Sequence, residues 1–270
     1  MGASSHAEGL GTTASADHSH AEGYNSHAEG DRSHAEGYKT KTTGWYSHAE
    51  GTGTLASGSS SHAEGTSTIA SGDSAHAEGK GGTASGNYSH AEGNSTKAEG
   101  EASHTEGSTT NAVGASSHAE GFSTVAKGAH SHAEGRLCKA YGNRTHAEGY
   151  ETIAGIEGKG DPTDAAHSEG YKTQAKGKAS HTEGNGTIAS RLAQHVQGRY
   201  NIEDTTQGNV DSYGKYAHIV GNGTSENDRS NAHTLDWKGN AWFAGGLKIG
   251  GTNWSDGKEV ATREEVAELK

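Results

Sequence analysis

Ser61-His62-Ala63-Glu64-Gly65-Thr66-Ser67, followed by Thr68-Ile69-Ala70-Ser71-Gly72-Asp73-Ser74, is one period of a repeat that runs through most of the chain. The element His-x-Glu-Gly occurs fourteen times, with histidines at His6, His20, His27, His34, His48, His62, His76, His90, His104, His118, His132, His146, His167 and His181. The steps between them are 14, 7, 7, then 14 eight times, 21 and 14, so every step is a multiple of seven. A looser half-unit lies midway, as in Leu55-Ala56-Ser57-Gly58, Val125-Ala126-Lys127-Gly128 and Gln174-Ala175-Lys176-Gly177. The true period is therefore 14, and His195-Val196-Gln197-Gly198 is a degraded copy one period further on.

A seven-residue spacing also suits a coiled coil, but that needs large apolar residues at two positions per heptad and few glycines. Here each half-unit carries a glycine and almost no large apolar side chain. The pattern Ser/Thr-x-Ala-x-Gly-x-x alternates small and variable residues, which is strand periodicity. Glycine then supplies the permissive backbone of a corner. Two short strands and two turns make one coil, and stacked coils make a narrow parallel β-solenoid. Alternation puts Ser61 and Ala63 inside and His62 and Glu64 outside. The consecutive units at His20, His27 and His34 place His27 on the opposite wall. The 21-residue step between His146 and His167 reads as a loop around Ile156–Thr163, because that stretch holds the only proline, Pro162.

Composition alone argues against an ordinary domain. Of 270 residues only 23 are Leu, Ile, Val or Phe, 43 are Gly, and the net charge is −12. Such scarcity usually signals disorder, but a disordered chain has no reason to keep strict phase. The acidic balance speaks against nucleic acid as a partner. No apolar run approaches the roughly 20 residues that span a bilayer, so membrane insertion is not expected. The start, MGASSHAEGLG, has neither a basic region nor an apolar core, so no secretory signal is read there. The single cysteine, Cys138, reads as an inert free thiol.

Residues 4–198 form the expected rod of about fourteen coils, on the order of 65 Å long. Residues 199–253 hold Trp237, Trp242 and Trp254 with Tyr200, Tyr213, Tyr216 and Phe243, and read as a small β module that caps the open end. Residues 254–270 carry the capping box Thr262-Arg263-Glu264-Glu265, so a helix is expected there, and the start of a coiled coil is one reading of it. The Ala and Ser interior offsets little of the ~1–2 kcal/mol per residue that backbone ordering costs. An oligomer that buries one outer wall is expected, and the wall repeated without variation is the candidate. Its ladder comprises His48, Glu50, His62, Glu64, His76, Glu78, His90, Glu92, His104, Glu106, His118, Glu120, His132 and Glu134.

The alternation Ser-x-Ala-x-Gly at a 14-residue period resembles the head repeats of YadA-type trimeric autotransporter adhesins. Its SHAEG…TxASG form is similar to repeats in phage and prophage tail proteins of Gram-positive bacteria. Tyr216-Ala217-His218-Ile219-Val220-Gly221-Asn222-Gly223, Asn231–Trp237 and Gly239–Gly245 are similar to a module near the ends of such proteins. The resemblance implies a left-handed β-roll and a homotrimer around a threefold axis. It also implies a structural and host-receptor-binding segment of a tail fibre or baseplate, carried on a virion or tail particle with other tail proteins as partners. A cell-surface adhesin head is the alternative. The family's usual Val and Ile on the interface wall are His and Glu here.

For chemistry, the His-x-Glu pairs allow two readings: a hydrogen-bonded ladder, which the fourteen-fold repetition favours, or an ion held on the trimer axis by His/Glu layers. No cofactor and no dedicated metal site is expected. Neighbours on a strand face opposite ways, so Ser61 and His62 cannot act as nucleophile and base. With no GxSxG, P-loop or HExxH pattern, no enzyme is expected. Aromatic residues follow the repeat glycine at Tyr24, Tyr38, Phe122, Tyr150 and Tyr171, which aligns them on one edge. With Trp237 and Trp242 they are the candidates for binding a host cell-surface polysaccharide by stacking. Packing against a neighbouring subunit is the plainer reading of that edge. Stacked histidines about 4.8 Å apart repel, which with burial lowers their pKa values, while interleaved glutamates raise them; stoichiometric pairing favours the raised value.

Overall fold

The computed structural model describes residues 2–158 and 164–245, together with the backbone of Lys248–Ile249 and Lys258–Glu259. Among them the chain is all-β, with no helix. The expected helix at Thr262–Glu265 lies outside the described residues. The repeat winds into a parallel β-solenoid of about thirteen turns, with thirteen strands stacked in the wall of looser half-units. The partner of each residue is the one fourteen positions on: His62 pairs His76, Ala63 pairs Ala77 and Ile69 pairs Thr83. His27 pairs Thr13 and Lys41, so it stands on the looser wall as its phase requires.

The interior is a ladder of small side chains. Ala63, Ala70, Ala77 and Ala84 are fully buried, with Ser61 and Thr68 beside them. The Ser that precedes a wall His closes its own turn, as Ser61 Oγ donates to Gly58 O at 2.7 Å. Cys138 takes a Thr place in this ladder and is buried, its thiol 3.2 Å from Gly149 O. Across the 21-residue step His146 pairs His167 and Ile153 pairs Gln174, so the register resumes with no added strand among the described residues. Within the expected loop, residues 159–163 lie outside the described residues.

The repeat glycine takes the permissive backbone expected of the corner, as at Gly65 (φ 98°). In several coils the His strand nonetheless runs on through its glycine, as in His34–Tyr38, and pairs one residue beyond it. A second left-handed position, which the sequence did not announce, follows two residues after the glycine at side chains such as Ser67 (φ 57°). The opposite turn does the same at Ser60 (φ 55°). A left-handed residue other than Gly costs roughly 1–2 kcal/mol. Ladder bonds across the turn offset it, Ser60 N donating to Trp45 O at 2.7 Å and Ser67 N to Thr52 O at 2.8 Å.

The last coil is closed by side-chain amides. Ile188 N donates to Asn201 Oδ1 at 2.8 Å, and Asn201 Nδ2 donates back to Ile188 O at 3.0 Å, as a further strand would. Gln194 Oε1 accepts from Ser190 N at 3.0 Å. The His wall continues into the strand Tyr216–Asn222, parallel to His195–Arg199, then antiparallel into Asn231–Asp236 and Ala241–Phe243. This end covers the open edge of the sheet. Asn201 is fully buried. Asn201→Ala therefore strands a buried amide and a buried carbonyl, and a loss of about 2–4 kcal/mol is expected from denaturant unfolding. A loss below ~0.5 kcal/mol would show that the amide is not the cap.

Candidate functional site

In-register pairing turns one residue per coil into a continuous row. From His6 to His195 the imidazoles stack with ring centroids 4.7–5.0 Å apart, and beyond the first pair they lie within 5° of parallel. This includes His48, His62, His76, His90, His104, His118 and His132. Their partners Glu50, Glu64, Glu78, Glu92, Glu106, Glu120 and Glu134 form a second row beside them. Typical side chains in both rows are about a third exposed, 35% for both His76 and Glu64.

The contacts run between coils as well as within them. His76 Nε2 lies 3.1 Å from Glu64 Oε1 and His90 Nε2 3.1 Å from Glu78 Oε1, both hydrogen bonds to the preceding coil. Elsewhere the same pairs sit wider, His62–Glu50 at 3.4 Å and His146–Glu148 at 3.7 Å.

The electrostatics correct the expected direction for histidine. Burial lowers the pKa of His34, His48, His104, His118, His146, His167 and His195, and the positive charge of the stacked neighbours lowers it further. Glutamate attraction opposes this at these rings but does not win, because burial is the largest cause and at least one stacked ring adds to it. The carboxylates answer their own neighbours. Glu36, Glu120 and Glu148 are pushed up to about 7 by hydrogen bonds with adjacent Glu side chains. Glu22, Glu106, Glu134 and Glu169, between or beside them, are held low by the same bonds. A protonated acid donates to an ionised neighbour, so like charges on adjacent coils are avoided.

Ser61 turns inward and His62 outward, so the adjacent Ser-His pair does not converge. The aromatic edge forms as the spacing predicts. Tyr24 stacks on Tyr38 at 5.3 Å and Tyr150 on Tyr171 at 5.1 Å. Arg136 bridges the gap, 5.6 Å from the Phe122 ring and 5.5 Å from the Tyr150 ring. Trp237 and Trp242 stand apart from this edge, on the end strands. Trp237 meets Tyr213 edge-on at 4.6 Å. Trp242 lines a cavity of about 640 Å³ with Ile202, Lys215, Tyr216, Asn231 and Asp236. Sequence reasoning did not find this cavity, because it depends on how three antiparallel strands fold back.

Sequence reasoning also missed the end cap. Asn201 lies fourteen residues after Thr187 and Gln194 fourteen after Ser180. Both amides therefore occupy inner positions in phase, where a long polar residue is out of place unless the stack ends. No protein-family model matches this chain, and no curated protein sequence matches it.

Proposed function

We propose that this chain is a non-enzymatic rod and host-binding segment of a phage or prophage tail fibre or baseplate, assembled as a homotrimer and acting outside the cell on a virion or tail particle. The observation that carries the reading is the unbroken in-register rod, whose invariant outer wall contrasts with irregular aromatic features. A spacer needs length and stiffness, which thirteen stacked turns supply. A binding surface needs features that break the repeat: the Phe122–Arg136–Tyr150–Tyr171 row, the loop after Ala154 and the Trp242 cavity do so. Aromatic faces beside amides and carboxylates suit a cell-surface polysaccharide.

The trimer reading rests on the thin interior. Among the described residues the inner strand positions short of the rod's end hold the side chains of Ala, Ser, Thr and Cys138. Three rolls with their His/Glu walls toward a common axis would bury what one roll leaves exposed. Light scattering on the 27.7 kDa chain should give three times that mass, and a stable folded monomer would overturn the assembly. Deletion of 156–163, Tyr150→Ala with Tyr171→Ala, and Trp242→Ala should each leave the trimer intact. At least one should cut adsorption to host cells tenfold or more. Unchanged adsorption in all three would make the segment a spacer alone. Recovery of the chain in the cell envelope rather than in particles would favour a surface adhesin.

A further inference from the structure

We propose that the His/Glu wall is a linear array of binding sites for a borderline-soft divalent cation of the Zn2+ class, each ion bridging an imidazole Nε2 and one or two glutamate carboxylates. The ring nitrogens supply the first argument. Nε2 is shielded from solvent and has no hydrogen-bond partner at His20, His34, His48, His62, His104, His118, His132, His146, His167, His181 and His195. Buried polar atoms without a partner are uncommon, and each costs about 1–3 kcal/mol if left so.

The second argument is distance. For most of these rings the nearest Glu oxygen lies 3.4–4.0 Å away, as in His62–Glu50 at 3.4 Å, His48–Glu36 at 3.5 Å and His118–Glu120 at 3.7 Å. That is too long for a good N–H···O bond, which spans about 2.7–3.2 Å. It is the span expected across a metal ion: bonds of about 2.0–2.1 Å to nitrogen and 2.0–2.2 Å to oxygen, at angles from tetrahedral upward, put the two atoms roughly 3.3–4 Å apart. Successive triplets, such as His62–Glu64–His76 and His76–Glu78–His90, hold their ligand atoms within 4.8 Å of one another. Two nitrogens on one ion can be at most about 4.2 Å apart. One ring and its flanking carboxylates are therefore the natural set, and a second ring joins only by tilting.

The third argument is the donor set. A ring stands beside the carboxylates of its own coil and of the one before, as His146 does with Glu148 at 3.7 Å and Glu134 at 3.9 Å, so nitrogen and anionic oxygen donors converge where a cation would sit. The carboxylate side of the sites is open: troughs of about 420 Å³ over Glu8, Glu22, Glu36 and Glu50, and about 600 Å³ over Glu120 to Glu183, run along the Glu and Gly rows. Nitrogen in the donor set selects Zn2+, Ni2+ or Cu2+ over Mg2+ and Ca2+, which prefer all-oxygen shells. The geometry is that of one roll, so it holds with or without threefold assembly.

The test is equilibrium dialysis of the chelator-stripped, tag-free protein against Zn2+, with Mg2+ and Ca2+ as controls. Saturable uptake of more than one Zn2+ per chain is expected, with a Zn2+-specific rise in melting temperature. Replacing the six rings His62, His76, His90, His104, His118 and His132 with Gln should cut bound Zn2+ to roughly half, since that removes six of the fourteen wall rings. A Gln ladder keeps the stack, because in-register amides bond along it. Glu64→Gln, Glu78→Gln and Glu92→Gln together should also lower the stoichiometry without touching a ring. No saturable uptake by the unaltered protein overturns the proposal, and so does uptake that neither variant reduces. Neither result bears on tail-fibre adsorption.

Discussion

Gly100→Ala is expected to destabilise the rod by about 3–5 kcal/mol, while Gly82→Ala stabilises it by about 0.5 kcal/mol. A Cβ on Gly100 would lie 2.0 Å from Gly114 O and 2.5 Å from Gly114 C. Both are backbone atoms of the next coil, so no side-chain rotation relieves the clash. The coils would have to part locally, which weakens the bonds from Glu99 N (2.8 Å) and Gly100 N (3.2 Å) to Ala112 O. Two ladder bonds at about 1 kcal/mol each, plus overpacking of about 1–3 kcal/mol, give the expected loss. Gly82 differs because it occupies the inner place that Thr68 and Thr96 fill in adjacent coils. Its Cβ would meet Glu78 O and Thr96 Oγ1 at 3.3 Å, a fit those coils already accept with a larger side chain. A shorter unfolded-state menu then favours Ala. Because coils interact mainly with their neighbours, hydrogen exchange in Gly100→Ala should rise around residues 86–128 and fade along the rod. Equal effects of the two substitutions would show that inter-coil spacing is not set by glycine.

That contrast marks what the sequence could convey. Phase is visible in a chain, so the coil period, the inward Ser61 and Ala63, the outward His62 and Glu64, and the displaced His27 were all legible. Each depends only on position modulo fourteen. The corner was legible only in part. The glycine marks a positive-φ position, as at Gly37 (φ 112°), but the side chains that turn left-handed two residues after a glycine, Lys39, Ser67 and Tyr88, give no hint of it by identity. What holds them is a backbone bond to the next or preceding coil, which no local pattern records. Asn201 and Gln194 were legible in principle, since both fall in phase at inner sites, but an amide there means a cap only once the stack is known to end. The aromatic edge was legible as a spacing. The Arg136 bridge within it appears only when the ladder is built.

In the sequence, repulsion between stacked rings stands against attraction to glutamate, and stoichiometric pairing favours attraction. At His34, His48, His104, His118, His146 and His167 burial and the stacked rings prevail instead. The consequence is a pH dependence with two opposed arms. Where the folded pKa is lowered, as at His34, His48, His104, His118, His146 and His167, the unfolded chain binds protons more readily. Their share of stability is present above the unfolded value near 6.5 and is lost as pH falls through the folded values. Glu36, Glu120 and Glu148, at about 7 against a usual value of 4.5, act the other way. Their share is present below 4.5 and is lost as pH rises through 7. The two arms oppose each other where they overlap, below 6.5 and above 4.5, so the unaltered protein should show a shallow profile there. Substitution separates them. With those six histidines changed to Gln, melting temperature measured in chelator should fall as pH rises from 5 to 7.5. With Glu36→Gln, Glu120→Gln and Glu148→Gln, whose amides mimic the protonated acid and still donate to Glu22, Glu106 and Glu134, it should climb over the same range. These side chains are about a third exposed, so each site contributes only a fraction of a kcal/mol, and the summed effect is a few degrees. Two variants with parallel profiles would mean that the stacked rings and shared protons do not govern the rod's response to acid.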